Sequence, residues 1–329
     1  MISEKLFCFL IFFFLSYNLF SQIALPTFHG ALKVSNQNQF QGTSATFTNC
    51  GKTGINGPSQ GDCNTAYSGS NLQNFVTVNN GIQEWIVPQT RTYIIEVWGA
   101  RGGGRGYSCT NGLSGTQCLG ASGARMKGEF NLTQGEILRI AVGQMGQDYS
   151  NYGGGGGGGT FVAKGNNHGS ATPLIIAGGG GGGHRSNQKA SIPGQITETS
   201  LQNDSNWSSG CDYGVGGGGS WFSDGAPSSM TCYSPPAQGG KGWASYLVGG
   251  NKSGGNNHWA RGDGGFGGGG GGAWGGGPAG GYRAPTPIKH SGQGITRGGG
   301  GGGSFNSGAN QDNTIGGGGD SHGKVIISW

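Results

Sequence analysis

The chain has 329 residues, of which 79 are glycine and only 10% are charged, with a formal net charge of +5. That balance excludes a strongly basic polyanion-binding protein. It also argues against simple disorder, because the Val, Ile, Leu, Phe, Trp and Tyr residues are clustered into strand-like segments. The low charge therefore accompanies a folded chain.

Lys5 in a short polar head precedes the apolar run Leu6 to Leu15, and smaller, more polar residues follow to Gln22. This reads as a signal peptide over residues 1–22, removed near Ser21 or Gln22. The apolar run is too short for a comfortable span, and no second run of about 20 apolar residues follows. The expected product is secreted or cell-surface-associated, without a membrane span once the leader is removed. Glu4 and Lys5 cancel, so the mature product keeps the +5 charge.

Residues 23–45 read as a polar N-terminal segment. From there, short apolar stretches alternate with turn signals: Phe75, Val76 and Val78, then Ile82, Trp85 and Val87 beyond the turn at Asn79-Asn80-Gly81, then Tyr93 to Trp98. Further strands are predicted at Ala124 to Leu132, Ile137 to Val142, Thr160 to Ala163, Pro173 to Ala177 and Lys324 to Trp329. Almost nothing reads as helix, and the pattern is that of an all-β antiparallel sandwich.

Of the 7 cysteines, Cys8 lies in the leader, leaving 6. An even number in an exported chain favours disulfides over metal sites. They fall into three local couples, Cys50 with Cys63, Cys109 with Cys118 and Cys211 with Cys232. None has the Cys-x-x-Cys spacing of a zinc site, so no metal is expected.

Glycine runs lie at 102–104, 153–159, 178–183, 216–219, 267–272, 298–303 and 316–319, each close behind a strand or an aromatic residue. Ordering such runs costs backbone entropy and needs compensation. Polyglycine II helices packed side by side supply it, since three residues per turn and no Cβ let neighbours hydrogen-bond on all sides. The competing reading is a set of flexible linkers, which would leave a single small domain implausibly loose.

Phe47-Thr48-Asn49-Cys50-Gly51, Cys63, Ala66-Tyr67, Gly81-Ile82-Gln83-Glu84-Trp85, Val87-Pro88, Gly99-Ala100, Gly143-Gln144, Gly159-Thr160-Phe161-Val162, Pro173-Leu174-Ile175-Ile176-Ala177, Gly265-Phe266-Gly267 and Gly323-Lys324-Val325 occur in that order. In this the chain resembles the glycine-rich extracellular region of anaplastic lymphoma kinase and leukocyte tyrosine kinase, over residues 46–329. The resemblance implies a tumour-necrosis-factor-like β-sandwich joined to a bundle of polyglycine II helices. In those receptors the region takes part in cytokine recognition and receptor pairing. This chain ends at Trp329 without a span, a kinase domain or an epidermal-growth-factor-like module, so signalling is not expected to carry over. The family's cytokine contacts have no motif that can be transferred.

Enzyme-like motifs are weak. Gly319-Asp320-Ser321-His322-Gly323 fits Gly-x-Ser-x-Gly but lacks the strand before and the helix after it. Gly318 to Lys324 has phosphate-loop spacing with Val325 where Ser or Thr is needed. Arg261-Gly262-Asp263 reads as a turn more readily than as an adhesion tripeptide. The Arg-Gly stretches at Arg101 to Tyr107 and at Arg297 resemble RNA-binding boxes, against which the leader and disulfides argue. No catalytic residue, cofactor or nucleic acid is expected.

Trp207, Trp221, Trp243, Trp259 and Trp274, with Tyr213, Tyr233, Tyr246 and Tyr282, lie between the later runs. Exposed, they are candidate contact residues for a protein or a glycan; buried, they cap a bundle that has no side chains of its own. The expected function is a non-enzymatic binding module recognising an extracellular protein or glycan. The alternative is a matrix or coat protein that self-associates through its polyglycine segments.

Overall fold

The computed structural model describes residues 40–104, 119–149, 153–184, 191–201, 215–228, 235–254, 261–273, 277–285 and 299–329. The leader, Cys109, Cys118, Cys211, Cys232, Trp207, Trp259, Trp274 and the Arg-Gly stretches at Arg105 and Arg297 lie outside the described residues.

Two antiparallel sheets face each other. The strands are β1 (Ser44–Phe47), β2 (Val76–Asn79), β3 (Ile82–Ile86), β4 (Arg91–Trp98), β5 (Arg125–Leu132), β6 (Ile137–Ala141), β7 (Thr160–Lys164), β8 (Thr172–Ala177), β9 (Phe305–Asn306) and β10 (Lys324–Ser328). One sheet runs β1-β10-β4-β5 and the other β2-β3-β6-β7-β8-β9. The chain is thus an all-β sandwich with almost no helix. Alternation along the strands sends Tyr93, Ile95, Val97, Val325 and Ile327 inward from the first sheet, and Trp85, Leu138, Ile140 and Val162 from the second. Trp85, fully buried, anchors this core. Its ring lies 5.6 Å from Phe40, 6.0 Å from Phe47 and 5.8 Å from Trp329.

One short helix, α1 (Gln60–Ala66), interrupts the β pattern. Ser59 and Asp62 cap it reciprocally, each side chain meeting the other's backbone N–H. Cys63 on α1 is bonded to Cys50, closing a sequence separation of 13. Just after α1, the Tyr67 hydroxyl accepts the Thr48 N–H at 3.0 Å and donates to Gln83 Oε1 at 2.6 Å. Burial pushes the Tyr67 phenol above its ordinary value.

One edge of each sheet is covered. The Gln60 amide donates to the Val76 carbonyl at 3.0 Å and accepts the Val78 N–H at 2.7 Å, occupying the free edge of β2 as a neighbouring strand would. Along β5, Arg125 and Glu129 exchange backbone bonds with Thr314 and Ala309.

The glycine runs at 154–159 and 179–183 are not loose, whereas the run at 316–319 is a turn rather than an extended segment, with Gly316 and Gly319 at positive φ. Along 154–159, residues three apart send their N–H groups to the same neighbouring segment. Gly154 and Gly157 donate to Gly183 and Gly180, Gly155 and Gly158 to Gln147 and Gln144, and Gly156 and Gly159 to Gly270 and Gly267. Their carbonyls in turn accept from Gly277 and Gly280 and from Gly103 and Ala100. The same rule holds at 179–183, where Gly179 and Gly182 donate to Gly280 and Gly277, and Gly180 and Gly183 to Ala100 and Gly103. A period of three distinguishes these segments from β-strands, whose period is two. Chains on every side leave no room for a side chain. A Cβ at Gly155, Gly156, Gly158 or Gly180 would come closer than 3.0 Å to a backbone carbonyl of another segment.

Candidate functional site

The outer face of the six-stranded sheet carries Ile82, Ala141, Phe161, Ala163 and Ile176, and the chain between the later glycine runs folds down on it. Trp243, Leu247 and Phe266 are buried there, with Trp221, Tyr246, Tyr282 and Phe305 half-buried around them. Trp221 stacks on Trp243 at 4.5 Å, Trp243 on His168 at 4.4 Å, and His168 on Tyr246 at 4.4 Å. The Trp243 indole N–H donates to the His168 carbonyl at 3.0 Å. His168 Nε2 lies 2.6 Å from the Trp243 carbonyl, which can only accept, so the proton sits on Nε2. Burial, with Arg139 nearby, pushes the His168 imidazole below its ordinary value and keeps it neutral near pH 7.

From this stack the loop at 220–224 projects outward. Ser220 Oγ accepts the N–H groups of Phe222 at 3.2 Å and Ser223 at 3.0 Å. Asp224 accepts the Gly242 N–H at 2.8 Å and pairs with Lys241 at 3.1 Å. Burial opposes ionisation of Asp224, yet the Gly242 N–H and the Lys241 ammonium outweigh it and hold the carboxyl below its ordinary value. The loop so fixed displays Phe222, which is 57% exposed. Tyr282 meets Phe222 edge-on at 5.0 Å and stacks on Phe305 at 4.6 Å, while the Arg283 guanidinium lies 5.0 Å above the Phe222 ring. The result is an aromatic ridge with a buried root and an exposed tip.

Of the five candidate tryptophans, Trp221 and Trp243 are brought together here. Trp243 is buried in the root, and Trp221 stands between root and tip. His168, Phe222, Arg283 and Phe305 belong to the ridge without having been singled out in the sequence. The signal for Phe222 was its place beside Trp221, between a glycine run and Asp224-Gly225, where a turn presents adjacent aromatics. His168 left no such signal.

The remaining motifs resolve into structural roles. Arg261 is 1% exposed, and its guanidinium donates to Ser253 Oγ at 2.5 Å and to the Gly254 carbonyl at 2.9 Å. Asp263 accepts the Lys252 N–H at 2.8 Å. The Arg-Gly-Asp sequence is therefore an internal clamp between glycine segments. Ser321 donates to the adjacent His322 carbonyl at 3.1 Å, while His322 Nδ1 accepts the Met145 N–H at 2.9 Å. Burial lowers the His322 pKa. A cleft of about 280 Å³ lies between Thr53, Met145, Gln147, Asp263 and His322.

No family model matches the chain. A search of curated proteins finds it similar to the mouse leukocyte tyrosine kinase receptor, 40% identical over 107 residues. The match spans 31% of this chain and 11% of the receptor's length. It establishes a local relation to that receptor.

Proposed function

We propose that the chain is a non-catalytic, extracellular recognition module. In this reading the sandwich is of the tumour-necrosis-factor-like type, and the glycine runs form a polyglycine II bundle that holds the aromatic ridge in a fixed position. The observation that carries it is the local match to a protein that is by name a receptor. The Cys50–Cys63 disulfide fits an oxidising, extracellular setting.

The period-three hydrogen bonding and the lack of room for a Cβ at Gly154 to Gly158 and at Gly178 to Gly182 support the polyglycine II assignment. The exposed aromatic tip on a hydrogen-bonded turn supports recognition, because a rigid aromatic loses little entropy on binding. Ser321, bonded to its neighbour's backbone ahead of a strand, lacks the setting of a nucleophile elbow.

Self-association through the glycine segments is the weaker reading. The N–H groups of Gly154 to Gly159, Gly179 to Gly183, Gly216 to Gly219 and Gly267 to Gly272 are all spent on acceptors within the chain. A second copy would find no donors there.

The test is crosslinking capture on the source's own cell surface, with a reduced sample as control. Saturable capture of one partner, lost on reduction, is the expected outcome. Recovery of only more copies of this chain would replace the recognition reading with the matrix reading.

A further inference from the structure

We infer that the tip of the aromatic ridge, Phe222 with Arg283, is a binding site for an acidic saccharide, a pyranose bearing a carboxylate. The inference rests on the reading of the chain as a recognition module and names the ligand class of its exposed face.

Three features define the site. Phe222 is 57% exposed on a turn whose N–H groups are satisfied by Ser220 Oγ. Tyr282 meets the ring edge-on, which fixes its tilt. Arg283 is exposed and lies over the same ring. It forms no ion pair among the described residues, whereas Lys241, the other cation of this loop region, is neutralised by Asp224. A free guanidinium over an exposed aromatic ring is a joint binding point for an anion and an apolar face.

The shape selects among ligands that combine the two. The tip is a projection rather than a pocket, so the ligand must bring its own flat apolar face, as the C–H face of a pyranose ring does. A carboxylate on that ring suits the planar guanidinium fork. The exposed Ser223 hydroxyl offers an acceptor for a sugar hydroxyl. An acidic peptide satisfies Arg283 but has no flat C–H ring face to lay on Phe222.

The test titrates the full chain with a hyaluronan hexasaccharide and with 3′-sialyllactose, taking lactose as the neutral control and a hexaglutamate peptide as the protein-like control. Calorimetry or NMR line shifts read the binding. Saturable binding of at least one acidic sugar is expected, about tenfold tighter than lactose and tighter than the peptide. Phe222→Ala and Arg283→Gln should each weaken it about tenfold, with Arg283→Lys in between. Melting curves establish that each variant is folded. Equal binding of lactose and the acidic sugars, tighter binding of the peptide, no saturation by the acidic sugars, or affinity untouched by both tip variants would each overturn the assignment. If a surface partner were captured saturably while the acidic sugars failed, the recognition module would stand and this ligand class would fall.

Discussion

Replacing Gly180 by alanine places one methyl group in the middle of the glycine bundle. The new Cβ would lie closer than 3.0 Å to the Ala121 carbonyl, which is backbone and cannot swing aside. Gly180 donates to the Ala100 carbonyl at 2.9 Å and accepts the Gly157 N–H at 2.9 Å, so moving the segment aside strains both bonds. Overpacking costs about 1–3 kcal/mol. Two weakened backbone hydrogen bonds add about 1 kcal/mol each. The restricted unfolded chain returns only about 0.4–1 kcal/mol. The net loss is roughly 2–5 kcal/mol, a fall in Tm of about 3–8 °C for a fold of this size. Gly169→Ala is the control, since a Cβ there meets nothing within 4 Å. Calorimetric melting of both variants decides the matter. A Gly180→Ala protein that melts with the Gly169→Ala control would show that the bundle is not close-packed.

Three further outcomes follow from the same contacts. His168 and His322 both have imidazole pKa values lowered by burial, so as pH falls below the ordinary histidine value the unfolded chain takes up protons first and stability declines. Denaturant midpoints between pH 7 and pH 5 should fall, and His168→Phe, which keeps the stacking, should flatten part of that slope; an unchanged slope would exclude His168 from it. Gln60→Leu removes both bonds on the β2 edge, costing about 1–2 kcal/mol, and should produce concentration-dependent association in sedimentation velocity. A monomer of unchanged stability would deny Gln60 its edge-covering role. Cys50→Ser with Cys63→Ser opens the loop closed by the disulfide and should cost about 3 kcal/mol in denaturant unfolding. A loss below about 1 kcal/mol would assign the stability of this corner to the Tyr67–Gln83–Thr48 network instead.

The strands with clear alternation were legible in the sequence. Tyr93 to Trp98 and Lys324 to Trp329 match β4 and β10 within a few residues, because a half-buried strand writes its two faces as a period of two. Strand β1 was not, since four residues give too short a period to read, and Phe40 joins the core through its distant partners Phe75, Trp85 and Trp329. Helix α1 had a signal, Ser59 and Asp62 three apart, but its seven residues contain a glycine and a cysteine and lack an apolar stripe. The ridge was half legible: tryptophans between glycine runs pointed to an aromatic cluster, but not to which ring is root and which is tip. That division depends on β7 and β8 turning Phe161 and Ile176 outward beneath Trp243, a long-range arrangement with no local trace.

The central claim is that the glycine runs are a rigid frame that fixes the ridge. Hydrogen exchange of the backbone amides, read by peptide mass spectrometry, tests it directly. The frame predicts that amides of 154–159 and 179–183 exchange as slowly as those of β4 and β10, because every one of them is spent inside the fold. Exchange of these glycines at the rate of an unstructured chain, with β4 and β10 still protected, would mean that the runs are linkers and that they do not hold the tip in place.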